Sequence, residues 1–469
     1  MPQSTKPPNH LTTRLTAPTP IGTLVFLRIA VGLLGAGDLL GNGIYWNWYK
    51  GSYANYTFSY YGFTWVQPLP EPLLSLFFVV GFLLGLGVAF GWRFRLTAPL
   101  FAVCFSYLFL LEKAHYLNHA YLFVWLTWML AFSPAWRALS LDVRRNPKVG
   151  VTHVPAWSVY LFPAMMGVVY FWGGIAKINH DWLLEAMPMH MWLQRRGNMP
   201  VLGWLWQQET TAYVMSWGGM LLDLLAPFML LHKRLRWVAL ALLMFFHATN
   251  HLIFNIGIFP YLSMVLTSMF FDPDWPRRAG IWVLRQAQQG PRTQVQSVLG
   301  RQGEVSESSV APPRVWTAPV TVNRLLVPAL ILFFGFHCYL PLRHHLFASD
   351  VNWSEEGHRY SWRMMLRSKQ GNGNFWLVNR KTGEETFVQP RDSLDERQFR
   401  KMVTHPDMIL QYAHHLRDAA AARGEDVAVY GRFRARLNGR DYQTFIDPEV
   451  DLSQVEWQWW GAKAWVLPE

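Results

Sequence analysis

Trp157-Ser158-Val159-Tyr160-Leu161-Phe162-Pro163-Ala164-Met165-Met166-Gly167-Val168-Val169-Tyr170-Phe171-Trp172-Gly173-Gly174-Ile175-Ala176-Lys177 carries no charged side chain before its last residue. A hydrocarbon core takes about 20 mostly apolar residues per helix, and this run fits one crossing. Similar runs lie at 22–41, 72–91, 96–112, 119–134, 211–231, 235–254, 256–271 and 322–341, which makes about nine candidate spans. The runs at 119–134 and 256–271 are short. The whole composition agrees: 51% of the residues are hydrophobic and only 15% charged, against roughly 25% charged in a soluble globular chain. Disordered, coiled-coil and disulfide-scaffold classes are excluded. Cys104 and Cys338 both sit in apolar runs, without the Cys/His spacing of a structural zinc site.

The net charge of +12 would suit a nucleic-acid binder if it were clustered. It is instead distributed by loop. Lys and Arg accumulate on the cytoplasmic side of membrane proteins. An inside N-terminus places Arg93 and Arg95, Arg137 to Lys148, Lys233 to Arg236, and the arginines between 277 and 314 all on one side. The excess is therefore a topology signal, and no nucleic-acid partner is expected. Residues 1–21 read as a polar N-terminal segment and the first span as a retained helix. Residues 22–341 form the transmembrane domain, in which 272–321 (rich in Gln, Ser, Pro and Arg) reads as a flexible inner linker. Residues 342–469 read as an extracytoplasmic soluble α+β domain. Its strands are expected at Asn374–Asn379, Glu385–Val388 and Val427–Leu437, with one helical stretch at 394–423. In Val427–Leu437, alternation puts Arg432, Arg434 and Arg436 on one face, a possible collector of acidic peptide or an ordinary solvated face.

Ionisable residues inside spans are costly and are functional candidates by default. Arg28, Asp38, His119, Lys177, Asp223, His247 and His251 are those residues. The topology puts Asn118, His119, Lys177 and His247 at one depth, beneath the soluble domain. Each has a plain alternative: Lys177 as a lysine snorkelling to the headgroups, His119 as a boundary residue, and Asp223 and Arg28/Asp38 as helix pins. His247 and His251, four apart, share a helical face and could ligate a metal or haem. Gly173–Gly174 and Gly218–Gly219 are expected to permit close helix packing.

The string Tyr170-Phe171-Trp172-Gly173-Gly174-Ile175-Ala176-Lys177-Ile178-Asn179-His180-Asp181-Trp182 resembles the vitamin K-dependent gamma-glutamyl carboxylase family and its bacterial relatives. Further blocks agree in the same order: Asn118–Leu122, Gly218–Leu224, Phe246–Asn250, Phe254–Phe259, Tyr360–Met365, His405–Met408 and Phe445–Pro448. The resemblance implies an integral-membrane carboxylase. Such an enzyme couples oxygenation of a reduced naphthoquinone (vitamin K hydroquinone) to its epoxide with carboxylation of peptide glutamate. Oxygen and carbon dioxide are co-substrates, a glutamate-containing peptide is the partner beside membrane lipid, and no metal is demanded. By the same resemblance Lys177 is the base for the hydroquinone and His119 serves the glutamate half-reaction. Asn118, His247, His344, Asp181, Trp182, Met364 and Met365 are candidates for the quinone or substrate site. Arg363 departs from the animal members, where the position is acidic. The short tail points to a bacterial inner membrane with the site facing outward, or to a lumen-facing position in the endoplasmic reticulum for a eukaryotic chain. The alternatives are a quinone epoxidase without peptide carboxylation, and a non-catalytic quinone- or haem-binding protein. Asn55-Tyr56-Thr57 and Asn352-Trp353-Ser354 match the glycosylation pattern.

Overall fold

The computed structural model describes residues 10–41, 53, 56–254, 257–288 and 314–469. The helices that matter for the site, numbered in chain order, are α1 (Gly22–Asp38), α2 (Glu71–Phe90), α3 (Phe94–Leu111), α4 (Asn118–Ala131), α5 (Ala156–Ala176), α6 (Glu209–Leu231), α7 (Leu235–Ile253), α8 (Phe259–Ser268), α9 (Trp275–Gln288) and α10 (Val320–Leu342).

Each expected span contains a helix, yet among the described residues six are long and apolar enough to cross a membrane. They are Gly22–Gly41, Glu71–Phe90, Phe94–Leu111, Ala156–Ala176, Glu209–Leu231 and Leu325–Leu346. The count of nine is not reproduced, for a physical reason. At about 1.5 Å per residue, the 14 residues of α4 and the 10 of α8 fall well short of a hydrocarbon core about 30 Å thick. The longer α7 carries His247, Asn250 and His251 in its last turns. The N-termini of α4 and α8 meet where the ring of His119 stacks on Phe259 at 5.6 Å, and stopping there leaves a hollow in the bundle. The expected flexible linker is also corrected in part, because its first third is the helix α9. Residues 289–313 of it lie outside the described residues, as does Asn55.

Close helix contact rests on particular glycines. A Cβ on Gly32 would come within 2.5 Å of the Ala89 nitrogen, so only glycine lets α1 meet α2 there. Gly174 plays the same part between α5 and α6, where a Cβ would lie 2.7 Å from the Leu224 nitrogen. Gly218, by contrast, faces open space.

The C-terminal region is a four-stranded antiparallel sheet with helices against it. Strands β1 (Lys369–Asn379), β2 (Glu385–Val388), β3 (Val427–Leu437) and β4 (Gln443–Thr444) run in the order β2-β1-β3-β4, with Phe375 opposite Gly431. The expected single helical stretch is two helices, α11 (Glu396–Met402) and α12 (Pro406–Ala422). Pro406 forces the break, since a residue before proline is pushed out of the helical region. Asp395 starts α11 with a capping box, accepting from Arg397 and Gln398 while Gln398 returns a bond to its backbone. Phe375, Val429 and Phe433 pack with Phe399, Met408 and Tyr412 to form the core. Alternation on β3 exposes Arg432 and Arg434 as expected. The sheet nonetheless holds them, Arg432 over Trp376 and Arg434 donating to the Tyr442 carbonyl. Asn352 is buried and accepts from Arg363, which removes it as a glycosylation site.

Buried polar contacts fix this domain to the bundle. Glu112, just past α3, accepts from the Phe58 nitrogen at 3.1 Å and from Gln398 of α11 at 2.7 Å. Lys113 and Arg359 flank Asp407 at 2.8 and 2.7 Å. These two cations, against the opposing effect of burial, hold the Asp407 carboxyl well below the usual carboxylate range. Removing one partner of a buried pair strands the other charges, so Asp407→Ala is expected to destabilise the protein by about 3–5 kcal/mol. Thermal unfolding in detergent measures it, and a loss under about 1 kcal/mol would mean that the contact is wet.

Candidate functional site

A cavity of about 1660 Å³ lies between the hollow in the bundle and the underside of the C-terminal domain. Asn118, His119, Lys177, Trp182, His247, Met364 and Met365 all line it. The shared depth inferred from loop charges therefore corresponds to one place. Two candidates do not belong to it. His344 bonds the Pro341 carbonyl at 2.7 Å and lies tilted against the His345 ring at 4.0 Å, outside the cavity lining. Asp181 accepts from Asn438 and Arg440, each at 2.6 Å, and so ties the segment after α5 to the C-terminal domain. Depth along a span can be read from sequence. The direction a side chain takes around the helix axis could not be read for residues in short connecting turns.

Lys177 caps the C-terminal end of α5. Its Nζ donates to the Gly173 carbonyl at 3.1 Å and to Asp223 Oδ2 of α6 at 2.6 Å. Both side chains are buried, 6% and 5% exposed. The snorkelling alternative is thereby corrected: Lys177 points into the protein and finds a carboxylate there. Asp223 was expected to pin helices, and it does so by holding this lysine. Its signal was present in the sequence as a lone carboxylate in an apolar span; what the sequence could not supply was the partner. The Trp182 ring lies 5.8 Å from Lys177 Nζ, and its Nε1 donates to the Ser216 carbonyl, which fixes the indole plane beside the amine.

Two turns earlier on α5, the Tyr170 hydroxyl lies 3.2 Å from His247 Nε2 and 3.1 Å from Thr267 Oγ1. His247 is buried and its Nδ1 has no hydrogen-bond partner among the described residues. An unmet polar atom beside Phe246 and Phe259 suits an oxygen on an otherwise apolar ring. His251 is exposed, 6.0 Å from Tyr261, and outside the cavity. The four-residue spacing therefore does not bring both histidines to one ligand. His180, Asp181 and Glu185 also lie close together, but both carboxylates are engaged by Arg440.

The roof is basic. Arg397, Arg400 and Lys401 of α11, with Thr404 just after it, line the cavity, and so do Arg363 and Lys369. Asn118 donates to the Arg363 carbonyl at 3.1 Å, joining the roof to the start of α4. Burial lowers the Lys401 ammonium to about 8. Arg363 was singled out in the sequence as a departure; Arg397, Arg400 and Lys401 did not stand out there, reading as ordinary helical charges.

Residues 16–275 match the HTTM domain family, and residues 322–469 match the lumenal domain of vitamin K-dependent gamma-carboxylase. The chain belongs to the vitamin K-dependent gamma-carboxylase family. No solved structure matches it. For a carboxylase of this family the implied cofactor is vitamin K and the substrate contains glutamate. The two matched regions are those that close over the cavity, the helical one below and the sheet-bearing one above.

Proposed function

We propose that this carboxylase couples oxygenation of a reduced naphthoquinone to its epoxide with carboxylation of glutamate in a peptide, at the cavity and on the outer side of the membrane. The observation that carries the reading is the buried Lys177–Asp223 pair at the wall of a cavity large enough for a naphthoquinone and a glutamyl side chain. When bound, reduced vitamin K supplies, with oxygen, the reducing power and the basicity that removing a glutamyl γ-proton requires. The protein's own tasks are proton handling, orientation and exclusion of water. Lys177 Nζ takes a proton from the quinol hydroxyl. A free amine is required for that, and Asp223 at 2.6 Å is the adjacent group able to hold the proton Nζ gives up. His247, oriented by Tyr170, offers Nδ1 to an oxygen of the ring. His119 stands across the hollow on Phe259, placed to donate to negative charge developing on the glutamyl carboxyl. The aromatic walls and the domain above keep water from the reacting centre. Carbon dioxide is the species captured, and no step calls for a metal.

The basic roof supports a carboxylate-rich peptide as the partner. Replacing Arg400 and Lys401 together by glutamine is expected to raise KM for such a peptide several-fold with a smaller change in kcat. Both effects should shrink at high salt. The pH dependence has a definite sign. Lys401 holds its charge below about 8 and loses it above, so peptide KM rises as pH passes that value. Lys401→Arg is expected to flatten the rise, because a guanidinium does not titrate there.

The reading is tested on purified protein with vitamin K hydroquinone, oxygen, labelled bicarbonate and a glutamate peptide, scoring epoxide and fixed label together. Both products are expected. Epoxide without label would favour the oxygenase alternative, for which Arg363 at the cavity wall is the motivating departure. Neither product from folded, quinone-binding protein would overturn the reading. A Soret band in the pure protein would revive the haem alternative.

A further inference from the structure

Outside the cavity lining, the segment Trp457-Gln458-Trp459-Trp460-Gly461 leaves the C-terminal domain with Trp459 59% and Trp460 71% exposed. Both ends of the segment are held. Trp457 stacks flat on Tyr61 at 4.8 Å and 8°. Lys463 lies 4.6 Å over the Trp457 ring and pairs with Glu356. The exposed indoles are thus displayed by an ordered turn.

Their level is fixed by the same contacts. Tyr61 belongs to the loop that leads into α2, and the next aromatic residues on it, Phe63 and Trp65, are exposed too, Trp65 at 74%. Lys113, two residues past the end of α3, sits 4.7 Å over the Tyr61 ring. Trp459 is 6.0 Å from that ring. It therefore stands at the height where α2 begins and α3 ends, which is one boundary of the membrane-crossing bundle. From there α2 turns Leu73, Leu76, Val80 and Leu83 outward, the face that acyl chains cover in a span. Phe63 and Trp65, 6.3 Å apart, lie on the loop that leads directly into that helix.

Indoles left in water waste their apolar area, while at a bilayer boundary the ring sits among acyl ends and the N–H among headgroups. We propose that Trp459 and Trp460 of the C-terminal domain, with Phe63 and Trp65 of the bundle, form one aromatic foot set in the headgroup layer of the bilayer. The domain is then anchored to lipid as well as to the helices, and lipid contact helps to hold it down over the cavity. Nothing in this depends on the reaction performed below it.

Depth can be measured on the full chain in lipid nanodiscs of phosphatidylcholine and phosphatidylglycerol. In a Cys104→Ser, Cys338→Ser background, a nitroxide is attached at Trp460→Cys and its relaxation by oxygen and by a water-soluble nickel chelate is compared. Lys381→Cys, in the exposed turn after β1, gives the aqueous reference, and Trp65→Cys is an independent reporter on the bundle side. Nickel accessibility at 460 and at 65 is expected to be several-fold below that at 381, with oxygen accessibility above it. Nickel access at 460 equal to that at 381 would overturn the proposal. So would shielding that comes with spin–spin broadening and fades on dilution with unlabelled protein, since a second copy would then be the cover.

Discussion

Lys177→Ala is expected to lower epoxide formation by about 10²–10⁴-fold, the usual worth of a positioned general base, while the protein still binds quinone. The amine hydrogen-bonds only to the Gly173 carbonyl and Asp223 among the described residues, and Trp182, the ring it faces, is held by its own bond to the Ser216 carbonyl, so its loss leaves the aromatic walls in place. Epoxide is scored by chromatography and quinone binding by equilibrium dialysis. Lys177→Arg separates two roles that alanine confuses. Arginine keeps the positive charge and the carboxylate contact but does not give up its proton at any working pH. It is expected to be as inactive as alanine. Substantial activity in the arginine variant would mean that Lys177 acts as a fixed charge, and the general-base assignment would fall.

Much of this site was legible because membrane topology converts sequence order into depth. Once loop charges orient the spans, Asn118, His119, Lys177 and His247 fall at one level, and the structure puts all four on one cavity. What sequence order does not convey is azimuth and reach. His344 and His251 sit at a suitable depth but face elsewhere. The pairing of Asp223 with Lys177 joins two helices 46 residues apart, and no local pattern encodes it. The basic roof assembles from α11 and the start of β1 only when the C-terminal domain folds.

The fold divides along the same line. Apolar length located the helices, and alternation located β3 and β2 to the residue. The first half of β1 was missed because Gly371 and Gly373 look like strand breakers. In the structure they are required by packing: a Cβ on Gly373 would collide with the Phe433 ring, and one on Gly371 would lie 2.7 Å from the Val403 carbonyl. The surplus of expected spans has a related origin. Hydropathy reports that a segment is apolar without saying whether its surroundings are lipid or protein. The short α4 and α8 are apolar because they border a protein-lined hollow.

The Lys177–Asp223 pair leads to the second large effect, on stability. Asp223→Leu leaves a buried ammonium without its carboxylate, and breaking a buried pair in this way costs about 3–5 kcal/mol. Lys177→Met strands the carboxylate in turn. Replacing both together removes two desolvated charges at once, and well-packed apolar side chains of similar volume often substitute for such a pair with little loss. The double variant Lys177→Met, Asp223→Leu is therefore expected to unfold at a temperature close to wild type and above either single variant. With each single loss at about 3–5 kcal/mol and the double variant near wild type, the coupling between the two changes should be about 6–10 kcal/mol, measured by thermal or denaturant unfolding in detergent. Strictly additive losses would mean that the two side chains do not pair in the folded protein. A stable and catalytically dead double variant would carry the argument furthest. Asp223 lines the cavity beside Lys177 and is buried against two helices that already touch through Gly174. If the fold does not need the pair, what keeps two charges in so apolar a place is the proton they exchange.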